Sequence, residues 1–290
     1  MELTNFSLPD GVRLFAKLEF FNPGGSIKDR LGLNFIEDAI QSGQLQPGGT
    51  IIEPTAGNTG IGIALAAVNK GFRVIFVVPE HFSREKQLLM QALGAEIVHT
   101  RREDGMRGAI DKTKQLLSEI PNSYSPQQFE NPSNPDTYYR SLAPEIDKDL
   151  NGDVSVFVAG AGTGGTFSGS ARYFKEKNPE VKTVIVEPEG SIIAGGEAGP
   201  HRTEGIGMEF LPEYMDRQLF DAIHTVEDAI AFNMVKQLAE KEGLLVGSSS
   251  GAAMVAALKE AQAAKPGSNI VTVFPDSSER YLSKDIYPFD

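Results

Sequence analysis

The chain has 290 residues, with 27 Lys plus Arg against 39 Asp plus Glu, and a formal charge of −12. Such a field repels nucleic-acid phosphates and anionic membrane surfaces, and 40% hydrophobic with 23% charged residues is ordinary globular usage that excludes wholesale disorder. With no cysteine there is no disulfide, thiolate nucleophile or zinc-thiolate site. The start lacks a basic-then-apolar leader, and no apolar run approaches the ~20 residues of a spanning helix, so the expectation is a soluble cytoplasmic protein.

Short β-branched runs alternate with longer amphipathic stretches. In chain order the pattern predicts a strand over 50–53, helix 59–70, strand 73–78, helix 83–93, strand 96–99 and helix 106–117. A second series follows: strand 154–158, helix 166–174, strand 183–187, a helix near 228–240 and strand 270–274. That alternation is the signature of an α/β protein with a parallel sheet and crossover helices. The Asn-, Pro-, Ser- and Gln-rich stretch 122–135 reads as a crossing between lobes, and the weakly patterned 188–212 as a mobile loop.

Glycines gather at the carboxyl ends of predicted strands: Gly57 and Gly60, then Gly160 to Gly165, with Gly24-Gly25 ahead of a helix. Ligands of open α/β sheets bind along that edge, and helix amino ends bind anions through free N–H groups. Gly160-Ala161-Gly162-Thr163-Gly164-Gly165 follows a strand, opens a helix and is followed by Glu187 at the next strand's end, which satisfies the dinucleotide fingerprint. The paired Gly164-Gly165 with hydroxyls at Thr163 and Thr166 equally suits one phosphate monoester. The phosphate cradle ranks first, the dinucleotide second and a plain turn third.

Gly247-Ser248-Ser249-Ser250-Gly251 has the form of a hydrolase nucleophile elbow, but none of His81, His99, His201 and His224 follows it, so the order Ser, acid, His cannot be completed. Helix capping by these serines is the better reading. The histidines lack the i, i+4 spacing of a zinc protease and no EF-hand carboxylate ladder is present, so no metal is expected and the histidines read as surface or structural.

Asn22-Pro23-Gly24-Gly25-Ser26-Ile27-Lys28-Asp29-Arg30 sets a lysine in the first turn of a helix, with Ser26 as its expected N-cap. The helix dipole opposes a cation there and favours the neutral amine, as a Schiff-base lysine requires. An exposed lysine balanced by Asp29 is the alternative for a lone pair of this kind.

PGGSIKDR, EPTAGNTGIG, GAGTGGT, EGIG and PDSSERY stand in one order, and on them the chain resembles the cysteine synthase and cystathionine β-synthase family of pyridoxal-phosphate β-replacement enzymes. The resemblance runs from about Leu14 to about Ile286. It implies fold type II, the tryptophan synthase β-like architecture: two lobes, each with a mostly parallel sheet flanked by helices. Residues 1–21 and 132–290 would form the larger, cofactor-binding lobe, and 22–131 the smaller, mobile lobe.

By the same resemblance Lys28 is the Schiff-base lysine. Thr55, Ala56, Gly57, Asn58 and Thr59 grip the substrate carboxylate, Asn58 also reaches the cofactor's ring hydroxyl, and Gln128 is a second carboxylate contact. Gly162, Thr163, Gly164, Gly165 and Thr166 hold the cofactor phosphate, Ser277 partners the pyridine nitrogen, and Gly205, Ile206 and Gly207 line cofactor and substrate.

The implied reaction replaces the acetate of O-acetylserine by a thiol through an α-aminoacrylate. Homocysteine would give cystathionine and sulfide would give cysteine, with EGIGMEF and PDSSERYLS nearer the cystathionine β-synthase branch. The resemblance further implies a homodimer and a possible serine acetyltransferase partner. Relatives carry a Thr-Pro segment ahead of the residues matching Glu2-Leu3, an arm that helps the dimer contact; here the chain starts after it. The rivals are a serine/threonine dehydratase of the same fold, then a nicotinamide-dependent dehydrogenase or a non-catalytic binding protein.

Overall fold

The computed structural model describes residues 1–80 and 82–288. His81 therefore lies outside the described residues. In chain order the strands and α-helices are β1 (Arg13–Leu18), α1 (Lys28–Gln41), β2 (Thr50–Pro54), α2 (Asn58–Ala67), β3 (Arg73–Pro79), α3 (Arg84–Ala92), β4 (Glu96–Thr100), α4 (Gly105–Glu119) and β5 (Ser123–Tyr124). They continue with α5 (Ser133–Arg140), α6 (Leu142–Asp149), β6 (Val156–Gly160), α7 (Gly165–Lys177), β7 (Lys182–Pro188), β8 (Ala222–Val226), α8 (Asp228–Glu242), α9 (Ser248–Ala263) and β9 (Asn269–Phe274). The chain divides into two compact units, one spanning Asn22–Asn134, the other Met1–Phe21 with the chain from Pro135 onward.

In the 22–134 unit the strands pair in parallel in the order β4-β3-β2-β5. Ile51, Ile52 and Val74 to Val78 are buried, as expected of parallel strands covered on both faces. Ile52, Ile75, Val77 and Ala109 share one core cluster with Met106 and Leu116 of α4 packed on it.

Helix α1 buries Leu31, Gly32, Phe35, Ile36 and Ala39, a stripe with helical period. It meets α2, an apolar helix whose residues Thr59 to Ala64 are all buried, with glycine at positions 60 and 62. A Cβ added at Gly32 would overlap the Gly62 backbone, and one at Gly62 would overlap the Lys28 carbonyl. The two helices thus cross backbone to backbone, and glycine is the only residue that permits it.

In the other unit five parallel strands run β1-β9-β6-β7-β8. All six residues of β9 are buried, and α9 packs its small residues Ala252, Ala256 and Ala257 into a core with Val158, Val184 and Ile270. From β6 the chain proceeds to β7 and β8 on one side, while β9 and β1 lie on the other. The order therefore reverses between β6 and β9, which places a switch point at their carboxyl ends.

Five elements carry too little local signal to be predicted, the two-residue β5 among them. Strand β1 (RLFAKL) is defined by its register on β9, Arg13↔Asn269 to Leu18↔Phe274, and edge strand β8 is only half-buried. Helices α5 and α6 fall in the segment read as a crossing and just beyond it. Helix α2 ends at Ala67 rather than at 70, because Val68 leaves the helical region with ψ 130° and Asn69 follows with a left-handed φ of 60°.

The segment 188–212 is irregular but not slack. Ile192 N–H donates to the Met208 carbonyl (3.1 Å), Met208 N–H to Ser191 Oγ (3.0 Å) and Gly199 N–H to the Gly190 carbonyl (2.9 Å), and Ile193, Ile206 and Met208 are buried. Placing a branched side chain in the α1–α2 crossing tests its importance: Gly62→Val is expected to lower stability by about 1–3 kcal/mol, read as a drop in thermal midpoint, because overpacking forces the backbones apart. An unchanged midpoint would mean the crossing tolerates separation.

Candidate active site

Lys28 opens α1, as the sequence predicts, but the cap differs by one position. Ile27 occupies the N-cap without a side-chain bond, while Ser26, one residue earlier, accepts from Lys28 N–H through Oγ (3.2 Å). The turn before it is built by its own polar groups. Asn22 Nδ2 donates to the Ser26 carbonyl (3.1 Å), Gly25 N–H to the Asn22 carbonyl (2.7 Å), and Gly24 N–H to the Asp29 carboxylate. Gly25 has φ 75°, and a Cβ at Gly24 would overlap Asp29. Asp29 thus shapes the turn that presents Lys28.

Thr55, Ala56 and Gly57 link β2 to α2, which begins at Asn58 with Gly57 at its N-cap and no side-chain cap. The first N–H groups of such a helix have no intrahelical acceptor. A Cβ at Gly57 would meet no atom within 4 Å, so packing of the chain does not require glycine there. Glycine at this position leaves room for a bound anion at the helix start. Thr59 Oγ1 donates to Gln128 Oε1 (2.8 Å), a buried bond joining two of the predicted carboxylate contacts.

Sequence reasoning missed Glu53, the residue behind this loop. It is 1% exposed and accepts from Ser125 Oγ (2.8 Å), Gln127 N–H (3.0 Å) and Gln128 N–H (3.2 Å). Burial pushes its carboxyl up to about 7 in spite of these three donors. The available signal was an acid inside the otherwise apolar run Thr50-Ile51-Ile52-Glu53.

In the other unit the glycine loop leaves the carboxyl end of β6 and enters α7, whose N-cap Gly164 has φ 84° and no side-chain cap. A Cβ at Gly164 would overlap the Met215 side chain, and one at Gly162 would overlap the Gly205 carbonyl. Tyr214 OH donates to the Thr163 carbonyl (2.7 Å), and Gly207 N–H to the Ala161 carbonyl (2.9 Å). The segment Gly205-Ile206-Gly207 therefore lies directly on the loop. Thr163 is buried, and Gly165 and Thr166 form the first turn of α7.

Ser277 follows β9, the neighbour of β6, and forms an isolated antiparallel bridge with Val246. On either side of it, Gly247 N–H donates to the Asp276 carbonyl (3.0 Å) and Ser278 N–H to the Leu245 carbonyl (3.2 Å). The Asp276 carboxylate in turn accepts from the buried Tyr281 hydroxyl.

Two readings are corrected. Glu187, the acid that completed the dinucleotide fingerprint, is 1% exposed, and its oxygens accept from Ile193 N–H (2.9 Å), Ala194 N–H (3.1 Å) and Thr225 Oγ1 (2.9 Å). Buried beneath its own loop, it offers nothing to a ribose. Ser248, Ser249 and Ser250 do not cap α9 through their side chains: Gly247 is the N-cap, the serines form the buried first turn, and Ser248 Oγ accepts from Glu204 N–H (3.0 Å). Two histidines serve structure, His201 Nδ1 lying 2.8 Å from the Thr203 carbonyl and His224 Nε2 2.8 Å from Glu260.

Taken unit by unit, the donors suit a phosphorylated aldehyde and an amino acid: the 22–134 unit carries a lysine amine and a helix start without a side-chain cap, and the other unit carries a glycine-walled helix start of the kind that binds phosphate. A family model described as pyridoxal-phosphate dependent enzyme matches residues 1–276. The chain belongs to that family. Proteins similar to the chain include an O-acetylserine dependent cystathionine β-synthase of Bacillus subtilis, 64% identical over 99% of this chain and 94% of that protein. They also include a cysteine synthase of Helicobacter pylori, 53% identical over 98% and 92%. A crystal structure of the O-acetylserine dependent cystathionine β-synthase from Helicobacter pylori superposes with a TM-score of 0.94 at 52% identity, covering 99% of this chain and 95% of that one. The architecture is accordingly fold type II, and the cofactor of this family is pyridoxal phosphate.

The raised Glu53 carboxyl sets a pH dependence of stability. Folded protein holds this proton up to about pH 7, whereas the unfolded chain releases it near 4.5, so the contribution is complete below the unfolded value and is lost as pH rises through about 7. Between pH 5 and 8 the wild type is expected to lose about 3 kcal/mol more stability than Glu53→Gln, measured by denaturant unfolding of both. Parallel pH profiles would contradict it.

Proposed function

We propose that this chain catalyses the pyridoxal-phosphate-dependent β-replacement of O-acetylserine by a thiol, giving cystathionine from homocysteine or cysteine from sulfide. The observation that carries the reading is the 22–134 unit itself, where a glycine crossing presses the helix of Lys28 onto the helix whose open start is shaped for a carboxylate. Names of relatives at 64% and 53% identity support the donor and both products.

When bound, pyridoxal phosphate supplies an electron sink for the negative charge left at the substrate α carbon. Lys28 would hold the cofactor through its aldehyde carbon, with Asn58 at the ring hydroxyl, Gly162 to Thr166 at the phosphate and Ser277 at the ring nitrogen. The free Lys28 Nζ would then be the base that takes the substrate's α proton, with acetate leaving from the β carbon. The thiol then adds at that carbon and Lys28 Nζ returns the proton, so the first product departs before the second substrate enters.

The backbone N–H groups of Thr55 to Thr59 and the Asn58 and Gln128 amides bind the donor carboxylate without an arginine. Gly205, Ile206 and Gly207 line the bound pair. A serine hydroxyl such as that of Ser277 at the ring nitrogen, unlike a carboxylate, would not hold that nitrogen protonated, and would so favour β-elimination over transamination.

Purified protein supplied with the cofactor is expected to show a visible band near about 410 nm that changes on adding O-acetylserine and returns with homocysteine or sulfide. Lys28→Ala should keep its thermal midpoint while turnover falls by at least about a thousandfold; full steady-state activity in that variant would sink the assignment.

The same reading makes the protein a cytoplasmic homodimer, with a serine acetyltransferase as its supplier of donor. Light scattering should give about twice the chain's 31.3 kDa. A single species at the chain mass would refute the dimer.

A further inference from the structure

The β2–β5 ladder is short, pairing Thr50 with Ser123 and Ile51 with Tyr124. Beyond Tyr124 the Glu53 side chain continues the connection, its two oxygens taking the Ser125 hydroxyl and the N–H groups of Gln127 and Gln128. The segment so held is bent: Gln127 has φ 54°, a left-handed conformation that a non-glycine residue keeps only when its surroundings impose it. Glu130 and Asn131 N–H groups donate to the Gln127 carbonyl (2.9 and 3.0 Å), and Asn134 Nδ2 donates to the Gln128 carbonyl (2.7 Å).

That bend aims Gln128 inward, where it is 7% exposed and takes the Thr59 hydroxyl on Oε1. The bond decides the amide's orientation, since an amide whose oxygen is occupied by a hydroxyl meets an anion with its donor end. Glu53 is also joined by Pro54 to Thr55, the first residue of the same loop. One buried carboxylate thus stands behind both halves of the anion site.

We propose that Glu53 is a positioning residue of the donor-carboxylate site: by holding the backbone of Gln127 and Gln128 it sets the Gln128 amide against Thr59, and through that pair the affinity for the amino-acid donor. The proposal rests on the reading of Thr55 to Thr59 and Gln128 as carboxylate contacts.

Its test uses cofactor-loaded wild type, Glu53→Ala, Glu53→Gln, Gln128→Ala and the Glu53→Ala/Gln128→Ala double variant. In Glu53→Ala the KM for O-acetylserine is expected to rise about tenfold while kcat at saturating donor stays within about threefold and the cofactor's visible band is unchanged. Amide hydrogen exchange over 125–131 should accelerate, and the double variant should have a KM no higher than Gln128→Ala alone, because Glu53 acts through Gln128. Glu53→Gln preserves shape, so it reads the same quantities should the alanine variant misfold, and its KM is expected between wild type and Glu53→Ala.

A fall in kcat at constant KM, additive effects in the double variant, or unchanged exchange over 125–131 would each overturn the proposal. A wild type inert towards O-acetylserine would instead overturn the functional reading. Exchange over 125–131, measured without substrate, then still decides whether Glu53 holds the segment.

Discussion

The contact between the backbones of α1 and α2 at Gly32 and Gly62 is the constraint on which the 22–134 unit depends. Helices packed through ordinary side chains sit ~8–10 Å apart. Removing both Cβ atoms at the crossing lets the Lys28 carbonyl rest on α2, so the first turn of α1 is carried against the helix that starts at Asn58. A lysine in a first helical turn and an anion site at a helix start are common separately. Their fixed association is what turns them into a candidate for chemistry on an amino acid.

The other unit solves a different problem, the placing of irregular chain at the carboxyl ends of parallel strands. The irregular chain after β7 is tied by polar side chains as well as by backbone bonds. Glu187 holds residues 193 and 194, and Asp228 accepts from Arg202 N–H, Thr203 N–H and the Thr203 hydroxyl. Ser191 then takes Met208 N–H. For the buried N–H groups of Ile193, Thr203 and Met208 such a bond satisfies a donor that burial would otherwise leave unpaired, at a cost of about 1–3 kcal/mol apiece. The outcome is that Gly205 to Gly207 lie on the glycine loop with close backbone contact.

Charge is used sparingly in these regions. The buried acids that shape the loops, Glu53 and Glu187, are occupied by the protein's own donors, and the groups proposed for anion recognition are neutral: helix N–H, amide and hydroxyl. Neutral donors suit a chain whose net charge of −12 already opposes anionic ligands at long range, because they act only at contact and need no counter-charge of their own. The same occupation removes the nicotinamide reading, since the acid that the fingerprint required is spent on Ile193, Ala194 and Thr225.

Local chemistry was readable without coordinates. Alternating runs marked the α/β class, and glycines after strands marked the edge where Thr55 to Thr59 and Gly162 to Thr166 stand, because turns, caps and periodicity are properties of a few adjacent residues. Strand β1 and Glu53 were not readable in this way: β1 is defined by its pairing with β9 at the far end of the chain, and the Glu53 partner Gln128 lies 75 positions away. The sequence by itself determined which residue types stand at each strand end and helix start, and through its ordered motifs the family. Only the tertiary structure decided which of them meet, Gly32 with Gly62, Glu53 with Gln127 and Gln128, Ser277 with Val246, because such meetings follow from the path of the chain and the packing of its core.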